Sequence, residues 1–302
     1  METQELNIST LDFNTIIAET VKKVWKMIEI FRLNLIYYKI VTGKGLEFDR
    51  LREYVEGDDA SMIDWNSLAR TTKPYIKIFK EERMLDVILV IDVSNTMLLG
   101  STKYTKNEYA SLLASIMGFS ALSAGDRLSA IMFSDKVKSF LEASLSQDNF
   151  FILSRMLANK RNYGGVKDWR VLSKPILGSY GPDSYVFFIS DFIGANEYLY
   201  DLVSKMVNKF KGVFCMMIRD PLDSYLPEGI GYIYLSDPDT GEVALVDADK
   251  IREEYNEKAA KEEREIEIRL KGVGAEFMKL HTNKDFVDEF IKYFQGKGKT
   301  WS

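Results

Sequence analysis

Four short runs of consecutive apolar residues follow one another after residue 86, at 87–91, 128–133, 185–189 and 213–218. Each run has the length of a strand, and helical spacing of apolar residues occurs between the runs. Unbroken apolarity over a strand's length is typical of strands that are buried on both faces. The pattern therefore predicts an α/β fold, with a doubly wound, mostly parallel sheet of the Rossmann-like kind flanked by helices.

The sequence also predicts three helices outside the four apolar runs. A stripe that steps by four and three predicts a long N-terminal helix, with the apolar positions Ile17, Val21, Val24, Ile28, Phe31, Leu35 and Tyr38. Two interpretations stay open: the stripe packs on its own protein, or it mediates self-association. A second helix is indicated by Thr105 and Glu108, which form a capping-box pattern, and a third by the charge-rich stretch 250–271.

The change of pattern near residue 85 predicts the domain organisation. Residues 1–84 hold the N-terminal helix and a turn-rich helical and β extension, with an alternating strand at 75–79. Residues 85–302 form the main domain. A hairpin around the turn 238–241 and the charged helix make an insertion in that domain at about 222–272.

Composition narrows the class of protein. Forty basic and forty-five acidic side chains give a formal charge of -5, so we expect no nucleic-acid partner. Charged residues interrupt the longest apolar stretch, 16–41, and the first residues lack a basic region followed by an apolar block, so we expect neither a membrane span nor a secretory signal. Cys215 is the single cysteine, which excludes an internal disulfide. A cytoplasmic protein fits best.

Polar side chains with oxygen donors follow two of the predicted strands. Asp92, Ser94 and Thr96 come after the first apolar run, and Asp191 comes after the third. In an open parallel sheet, ligands bind beyond the carboxyl ends of strands, where the strand order reverses. Carboxylate and hydroxyl oxygens suit a hard cation such as Mg²⁺. Capping of a local turn by Ser94 and Thr96 is the simpler alternative.

Further segments carry a resemblance to known families. The stretch "DVSNTM" resembles the metal-ion-dependent adhesion motif of von Willebrand factor A domains. The stretch "GKGLEFDRLREYVEGDDASMIDWNSLART" resembles the signature of the domain of unknown function 58 family, which carries such a domain. The signature positions are Arg52, Tyr54, Gly57, Asp58, Asp59, Asp64, Trp65 and Arg70. We interpret them as a structural brace, because no nucleophile and base are evident among them.

The resemblance implies a function and also reveals a departure. The family's second loop usually reads Gly-Gly-Thr, with the Thr as a metal ligand, whereas this chain has Gly164, Gly165 and Val166, followed by Lys167. One metal ligand is therefore missing, and the Lys167 ammonium could partly replace the cation's charge. We expect Mg²⁺ as a possible cofactor, and Gly164, Gly165 and Lys167 as partner-binding residues.

The resemblance further implies a non-enzymatic adaptor that works with a MoxR-type AAA+ ATPase in the assembly or activation of a client protein. We expect a degenerate metal-ion-dependent adhesion site, formed by Asp92, Ser94, Thr96, Asp191 and Lys167, to dock an acidic side chain of the partner. The alternative is a haloacid-dehalogenase-like Mg²⁺-dependent phosphotransferase, which also ends its first strand with acids. In that class the second acid moves protons, and here Ser94 takes its place. The single histidine, His281, lies in a late apolar run and is not paired with a nucleophile in the sequence.

Overall fold

The computed structural model describes residues 8–23, 48–55, 74–79, 84–290 and 293. Its strands are β1 Phe48–Glu53, β2 Tyr75–Phe79, β3 Asp86–Asp92, β4 Arg127–Phe133, β5 Val137–Ser144, β6 Ser184–Ser190, β7 Gly212–Arg219, β8 Tyr232–Ser236, β9 Val243–Asp247 and β10 Glu276–His281. Its helices are α1 13–23, α2 Lys106–Ser123, α3 Asp148–Ala158, α4 Ser173–Ser179, α5 Glu197–Lys209, α6 Pro221–Ser224, α7 Ala248–Gly272 and α8 286–290. Short 3-10 helices occur at Asn95–Leu98, Lys160–Asn162 and Trp169–Leu172.

The chain divides into two compact units. One consists of Met1–Ile30 together with Leu85–Ser302, and the other is Phe31–Met84. The predicted boundary at residue 84 thus differs from the structure at the N-terminus, because α1 belongs to the larger unit. Most of the predicted N-terminal stripe lies outside the described residues, as do Gly57, Asp58, Asp59, Asp64, Trp65 and Arg70.

The larger unit is built on a six-stranded sheet with the order β10-β7-β6-β3-β4-β5. All neighbouring strands are parallel except β4 and β5, which pair antiparallel at one edge. The chain runs from β3 to its neighbour β4, and later returns to β6 on the other side of β3. The strand order therefore reverses at β3 and β6, which places the crevice of this fold at their carboxyl ends.

Both faces of the sheet are covered by helices, as the apolar runs predict. Every residue of β3 is buried. Ile88 and Val90 belong to a core cluster with residues of α4, α5 and α7. The alternate residues of β3 point to the opposite face, where α2 packs against β3 and β4. The prediction of a mostly parallel sheet between helices is confirmed at this level.

Aromatic side chains fill the core beneath the crevice. Trp169 stacks with Phe192 at a centroid distance of 6.1 Å and an interplanar angle of 13°. Phe133 and Phe188 contact Trp169 edge-on or tilted, each at 5.8 Å. Phe192 adopts a positive φ of 54°, which is uncommon for a bulky residue and is stabilised here by burial of its ring. This packing fixes the loop after β6 in place.

Two smaller sheets complete the described structure. In the smaller unit β1 and β2 pair antiparallel, with Arg52 opposite Ile76, and the backbone amide of Tyr54 donates to Pro74 O at 2.9 Å. In the larger unit β8 and β9 form the predicted hairpin, and α7 follows it directly. In the described part of the chain, every helix is too short or too polar to cross a bilayer.

Candidate functional site

Two neighbouring strands each deliver an aspartate to the crevice. Asp92 is the last residue of β3, and Asp191 follows Ser190 at the end of β6. Since β3 and β6 pair in parallel with Ile91 opposite Ile189, the two carboxylates reach the same edge of the sheet. Both side chains are fully buried. The predicted meeting of Asp92 and Asp191 is therefore present in the structure, below the surface of the crevice.

Protein groups hold the Asp92 carboxylate from three directions. The backbone amide of Ser94 donates to Oδ1 at 2.9 Å, and the Ser190 hydroxyl donates to Oδ2 at 2.6 Å. Lys167 Nζ lies 2.8 Å from the same Oδ2. A buried carboxylate needs such partners, because burial of an unpaired charge is strongly unfavourable. Asp92 is thus fixed by the loop after β3, by β6 and by the second loop.

Two lysines neutralise Asp191. Lys167 Nζ donates to Oδ1 at 2.5 Å, and Lys106 Nζ donates to Oδ2 at 3.0 Å. The Ile193 amide also donates to Oδ1 at 3.0 Å. Lys106 is fully buried and contacts Asp223 Oδ2 at 2.8 Å as well. The crevice therefore holds a continuous cluster of three carboxylates, Asp92, Asp191 and the partly exposed Asp223, and the two ammonium groups, which we term the charge cluster.

The contacts within the charge cluster favour the charged forms of Asp191 and Lys167. Burial would raise the pKa of Asp191, but the Lys106 and Lys167 ammonium groups outweigh burial and hold that pKa well below its ordinary value. Burial would likewise lower the pKa of Lys167, and the charges of Asp191 and Asp92 shift it above its ordinary value instead. Around neutral pH Asp191 and Lys167 are therefore both charged.

The Lys167 ammonium has no donor capacity left for a further ligand. Besides Asp92 and Asp191 it contacts the Ile193 carbonyl oxygen at 3.2 Å, so three acceptors face its three N–H groups. The Trp169 ring lies 5.1 Å from the same nitrogen. Only 5% of the Lys167 side chain is exposed. The structure therefore gives Lys167 a role inside the charge cluster rather than on the surface.

The second loop is tied to the loop after β3 by backbone hydrogen bonds. The Gly164 amide donates to Val93 O at 2.8 Å, and the Asn95 amide donates to Gly165 O at 3.0 Å. The Asn95 side chain accepts from the Gly165 amide at 2.7 Å. Gly164 and Gly165 have φ angles of 90° and 100°, which favour glycine. The two glycines let the chain turn here and direct Lys167 into the crevice.

Ser94 and Thr96 also come together as predicted. Their hydroxyl oxygens lie 3.2 Å apart and share a hydrogen bond, and both side chains are buried. Ser94 precedes the 3-10 helix Asn95–Leu98, but its hydroxyl makes no capping bond there. The simple capping interpretation does not account for it. The hydroxyl pair lies in the loop that begins at Asp92.

Exposed side chains line a cleft that includes Lys167 of the charge cluster. Val166 and Tyr198 are 51% and 61% exposed, and they line a cleft of about 470 Å³ together with Asp135, Lys167, Asp168, Trp169, Arg170 and Asn196. The Arg170 guanidinium is paired with Asp168 and lies 5.8 Å from the Tyr198 ring centroid. Asp239, at the tip of the β8–β9 hairpin, accepts from the Asn95 amide group at 3.3 Å. We call Val166, Arg170 and Tyr198 the exposed rim.

The donor set does not fit a divalent cation. The carboxylate oxygens that would bind Mg²⁺ are hydrogen-bonded to lysine ammonium groups, and Val166 offers no oxygen. Within the described ranges, no group of three or more His, Cys, Asp or Glu side chains is arranged to hold a metal. The Mg²⁺ expected from the sequence stays a prediction, and the contacts of Lys167 weigh against it.

Three members of this site were missed by sequence reasoning: Lys106, Ser190 and Asp223. Asp223 and Lys106 are 117 positions apart in the sequence, so no local sequence pattern connects them. Lys106 did carry a signal, because it is the first residue of α2. A cation at a helix N-terminus opposes the helix dipole, and such a residue often has a partner elsewhere in the fold.

Three further residues that the sequence analysis named are described by the structure. Arg52 and Tyr54 are in the smaller unit, where Arg52 Nη1 donates to Glu53 O at 3.4 Å. His281, which we excluded as a catalytic base, is at the end of β10 and contacts Glu289 Oε1 at 2.9 Å through Nδ1.

Comparison with known proteins gives several similar sequences and structures. Uncharacterized proteins of Mycobacterium tuberculosis (strain ATCC 25618 / H37Rv) and Mycobacterium bovis are each 25% identical to the chain over 257 residues, which is 84% of this chain and 80% of theirs. A conserved hypothetical protein BatB from Bacteroides thetaiotaomicron is a similar solved structure, with 15% identity and a TM-score of 0.45, over 70% of this chain and 99% of that one. An aerotolerance-related membrane protein from Bacteroides fragilis covers the same shares, with 14% identity and a TM-score of 0.40.

A protein-family model matches most of the chain. The model described as "Protein of unknown function DUF58" matches residues 50–265, which is more than two thirds of the chain. The match spans the signature residues from Arg52 to Arg70, the two strand ends at Asp92 and Asp191, and the second loop. This chain belongs to the DUF58 family.

Proposed function

We propose that this protein is a non-enzymatic interaction module with a von Willebrand A-like domain. Its docking surface is the exposed rim of Val166, Arg170 and Tyr198, and its partner is a MoxR-type AAA+ ATPase. In this role it acts as an adaptor in the assembly or activation of a client protein, in the cytoplasm and without binding nucleic acid. The partner and the client rest on the family resemblance, and the compartment rests on the single cysteine of the chain.

One observation carries the proposal: Lys167 of the charge cluster lines the same cleft as the exposed rim. The buried acids and lysines satisfy one another, so they are suited to fix the loops rather than to react. The rim presents an aliphatic side chain, a tyrosine and an arginine. Tyr and Arg are enriched among residues that dominate binding energy at protein interfaces. This combination supports recognition.

The same burial counts against phosphoryl transfer. In a haloacid-dehalogenase-like enzyme the first acid after the strand attacks phosphorus and must face the substrate. The Asp92 carboxylate is fully buried and accepts three hydrogen bonds or ion pairs. Ser94, in the place of the second acid, is hydrogen-bonded to Thr96. We therefore prefer an interaction module to the phosphotransferase alternative.

Binding to the purified MoxR-type ATPase of the same cell tests the proposal. We expect the wild-type chain to bind it and Tyr198→Ala to bind at least about tenfold more weakly, as befits an exposed anchor residue at an interface. Phe151→Ala is the matched control, since Phe151 is an exposed aromatic on α3. Asp92→Ala is a poor probe, because removal of a buried, paired carboxylate disturbs the fold itself.

The outcomes separate the candidate functions. Equal binding by wild type and Tyr198→Ala would move the contact away from the rim, and no binding by wild type would remove the proposed partner. Release of phosphate from an aryl phosphate in Mg²⁺, if lost in Asp92→Asn, would favour the phosphotransferase instead.

A further inference from the structure

We propose that Lys167 is a built-in cation that holds the place of a divalent metal in the crevice, so that the site assembles without metal. The inference concerns how the crevice is held together. It is independent of the proposed docking function, and loss of ATPase binding by a rim variant would leave it unaffected.

The position of the Lys167 ammonium carries the inference. Nζ lies 2.8 Å from Asp92 Oδ2 and 2.5 Å from Asp191 Oδ1, so it bridges the two carboxylates from the two strand ends. Mg²⁺ binds carboxylate oxygens at about 2.0–2.1 Å. A Mg²⁺ ion that bridged the same two oxygens would overlap the ammonium. The lysine and the metal therefore compete for one position.

Charge leads to the same conclusion. The charge cluster contains the carboxylates of Asp92, Asp191 and Asp223 and the ammonium groups of Lys106 and Lys167. Two ammonium groups carry the same charge as one divalent cation. A metal added to this buried cluster would face two like charges where water screens them poorly. Removal of Lys167 would instead raise the excess negative charge of the cluster from one to two, which a divalent metal could balance.

The loops around the ammonium are held by protein groups as well. The hydroxyls of Ser94 and Thr96 bond to each other, and the Ser134 hydroxyl donates to Gly164 O at 2.8 Å. Val166 points its side chain outward and contributes no oxygen. Val166 lacks the side-chain oxygen of the family's usual Thr, and Lys167 follows it directly in the chain. The missing metal ligand and the substitute cation are therefore neighbours, as expected if the lysine replaces the metal.

Thermal unfolding of the full chain in millimolar Mg²⁺ and in EDTA tests the inference. We expect the wild-type melting temperature to be the same in both. Lys167→Ala should melt several degrees lower in EDTA and regain part of the loss in Mg²⁺, because the vacated position becomes available to the ion. Lys205→Ala is the control, since Lys205 is exposed and pairs with Asp201 on the surface of α5; it should melt like wild type in both buffers.

Two results would overturn the inference. One is a wild-type protein that Mg²⁺ stabilises. The other is a folded Lys167→Ala protein that Mg²⁺ does not stabilise. If Lys167→Ala fails to fold in either buffer, titration of the wild type with Mn²⁺, followed by electron paramagnetic resonance, decides: one tightly bound ion per chain contradicts the inference, and the absence of a tight site supports it.

Discussion

At the scale of single residues, Gly165 shows how closely the second loop is fitted to its surroundings. A Cβ atom at Gly165 would lie 2.5 Å from Asp135 Oδ1 and 3.0 Å from Ser134 Oγ, at a φ of 100°. At Gly164 the φ is similar, but the nearest atom would be Asn95 Oδ1 at 3.6 Å. Substitution of Gly164 by alanine therefore introduces backbone strain alone, whereas the same substitution at Gly165 introduces backbone strain and a steric clash.

We predict that Gly165→Ala lowers the free energy of unfolding more than Gly164→Ala does. Positive φ at a residue with a side chain costs about 1–3 kcal/mol, and both variants share that cost. The contact with Ser134 and Asp135 adds roughly 1 kcal/mol at Gly165, because those side chains must shift. Urea unfolding with linear extrapolation measures both values.

Gly178→Ala is the control for this comparison. Gly178 lies in α4 and a Cβ atom there would meet no neighbour within 4 Å. An alanine in a helix is favoured over glycine by about 1 kcal/mol, so this variant should be neutral or slightly stabilising. A Gly165→Ala protein as stable as Gly178→Ala would contradict the described loop geometry.

The sequence correctly predicted the positions of those site residues that directly follow a buried strand. Asp92 and Asp191 meet because each follows a buried parallel strand, and this can be read from the apolar runs. The pairing of Lys106 with Asp223 could not be read, since it depends on where α2 and α6 begin in space. The sequence therefore indicated two of the three acids of the charge cluster, Asp92 and Asp191, and one of its two lysines, Lys167.

At the scale of elements, α1 is attached to α2 by buried hydrogen bonds. The Thr20 hydroxyl and the Ser115 hydroxyl lie 2.9 Å apart, and both side chains are fully buried. Closer to the start of α2, the Asn107 side chain donates to Ser9 O at 2.9 Å, and Glu108 accepts from the Ser9 hydroxyl at 2.6 Å. These contacts make α1 part of the larger unit.

A double-mutant cycle with Thr20→Val and Ser115→Ala tests this attachment. Thr20→Val should lose about 1–2 kcal/mol of unfolding free energy, because it removes the partner of the buried Ser115 hydroxyl. Ser115→Ala should lose less, roughly 0.5–1.5 kcal/mol, because the Thr20 hydroxyl keeps its hydrogen bond to Ile16 O at 2.7 Å. The double variant should lose less than the sum, with a coupling of roughly 0.5–1.5 kcal/mol.

Ser120→Ala paired with Thr20→Val is the control cycle. Ser120 is a buried serine on the same helix, and its hydroxyl donates to Ile116 O rather than to α1. The effects of this pair should add. A coupling near zero between Thr20 and Ser115 would contradict the placement of α1.

Some of the helices and strands were predicted from the sequence, and at least one strand was not. The buried strands, α2, the hairpin and α7 follow from periodicity. The edge strand β5 was not predicted, because most of its residues are partly or fully exposed and Lys138 and Glu142 interrupt its apolar residues. Edge strands of this kind show only weak alternation.

At the scale of the whole molecule, the fold class could be predicted but the division into units could not. A parallel sheet between helices follows from several short apolar runs, each of which is a local feature. The association of residues up to Ile30 with the unit that begins at Leu85 depends on contacts across more than fifty intervening residues. Such contacts leave no local pattern, so a boundary drawn from sequence followed the change in composition near residue 85.

Cys215 offers a probe of the stability of the larger unit. It is the single cysteine of the chain, it is fully buried, and it lies in β7 between Phe188 of β6 and Phe277 of β10. Burial raises the pKa of its thiol, so the reactive thiolate is scarce in the folded state. Reaction with a thiol reagent therefore requires the core of the sheet to open.

We predict that 5,5′-dithiobis-(2-nitrobenzoic acid) labels the native protein at least about a thousandfold more slowly than the protein in denaturant, since typical domains are stable by about 5–15 kcal/mol. Above the ordinary cysteine pKa, the unfolded chain releases the thiol proton while the folded chain retains it, so rising pH lowers the free energy of unfolding. Cys215→Ala should lack this alkaline loss of stability in otherwise identical unfolding experiments. Labelling of native protein within tenfold of the denatured rate would contradict the position of Cys215 between β6 and β10.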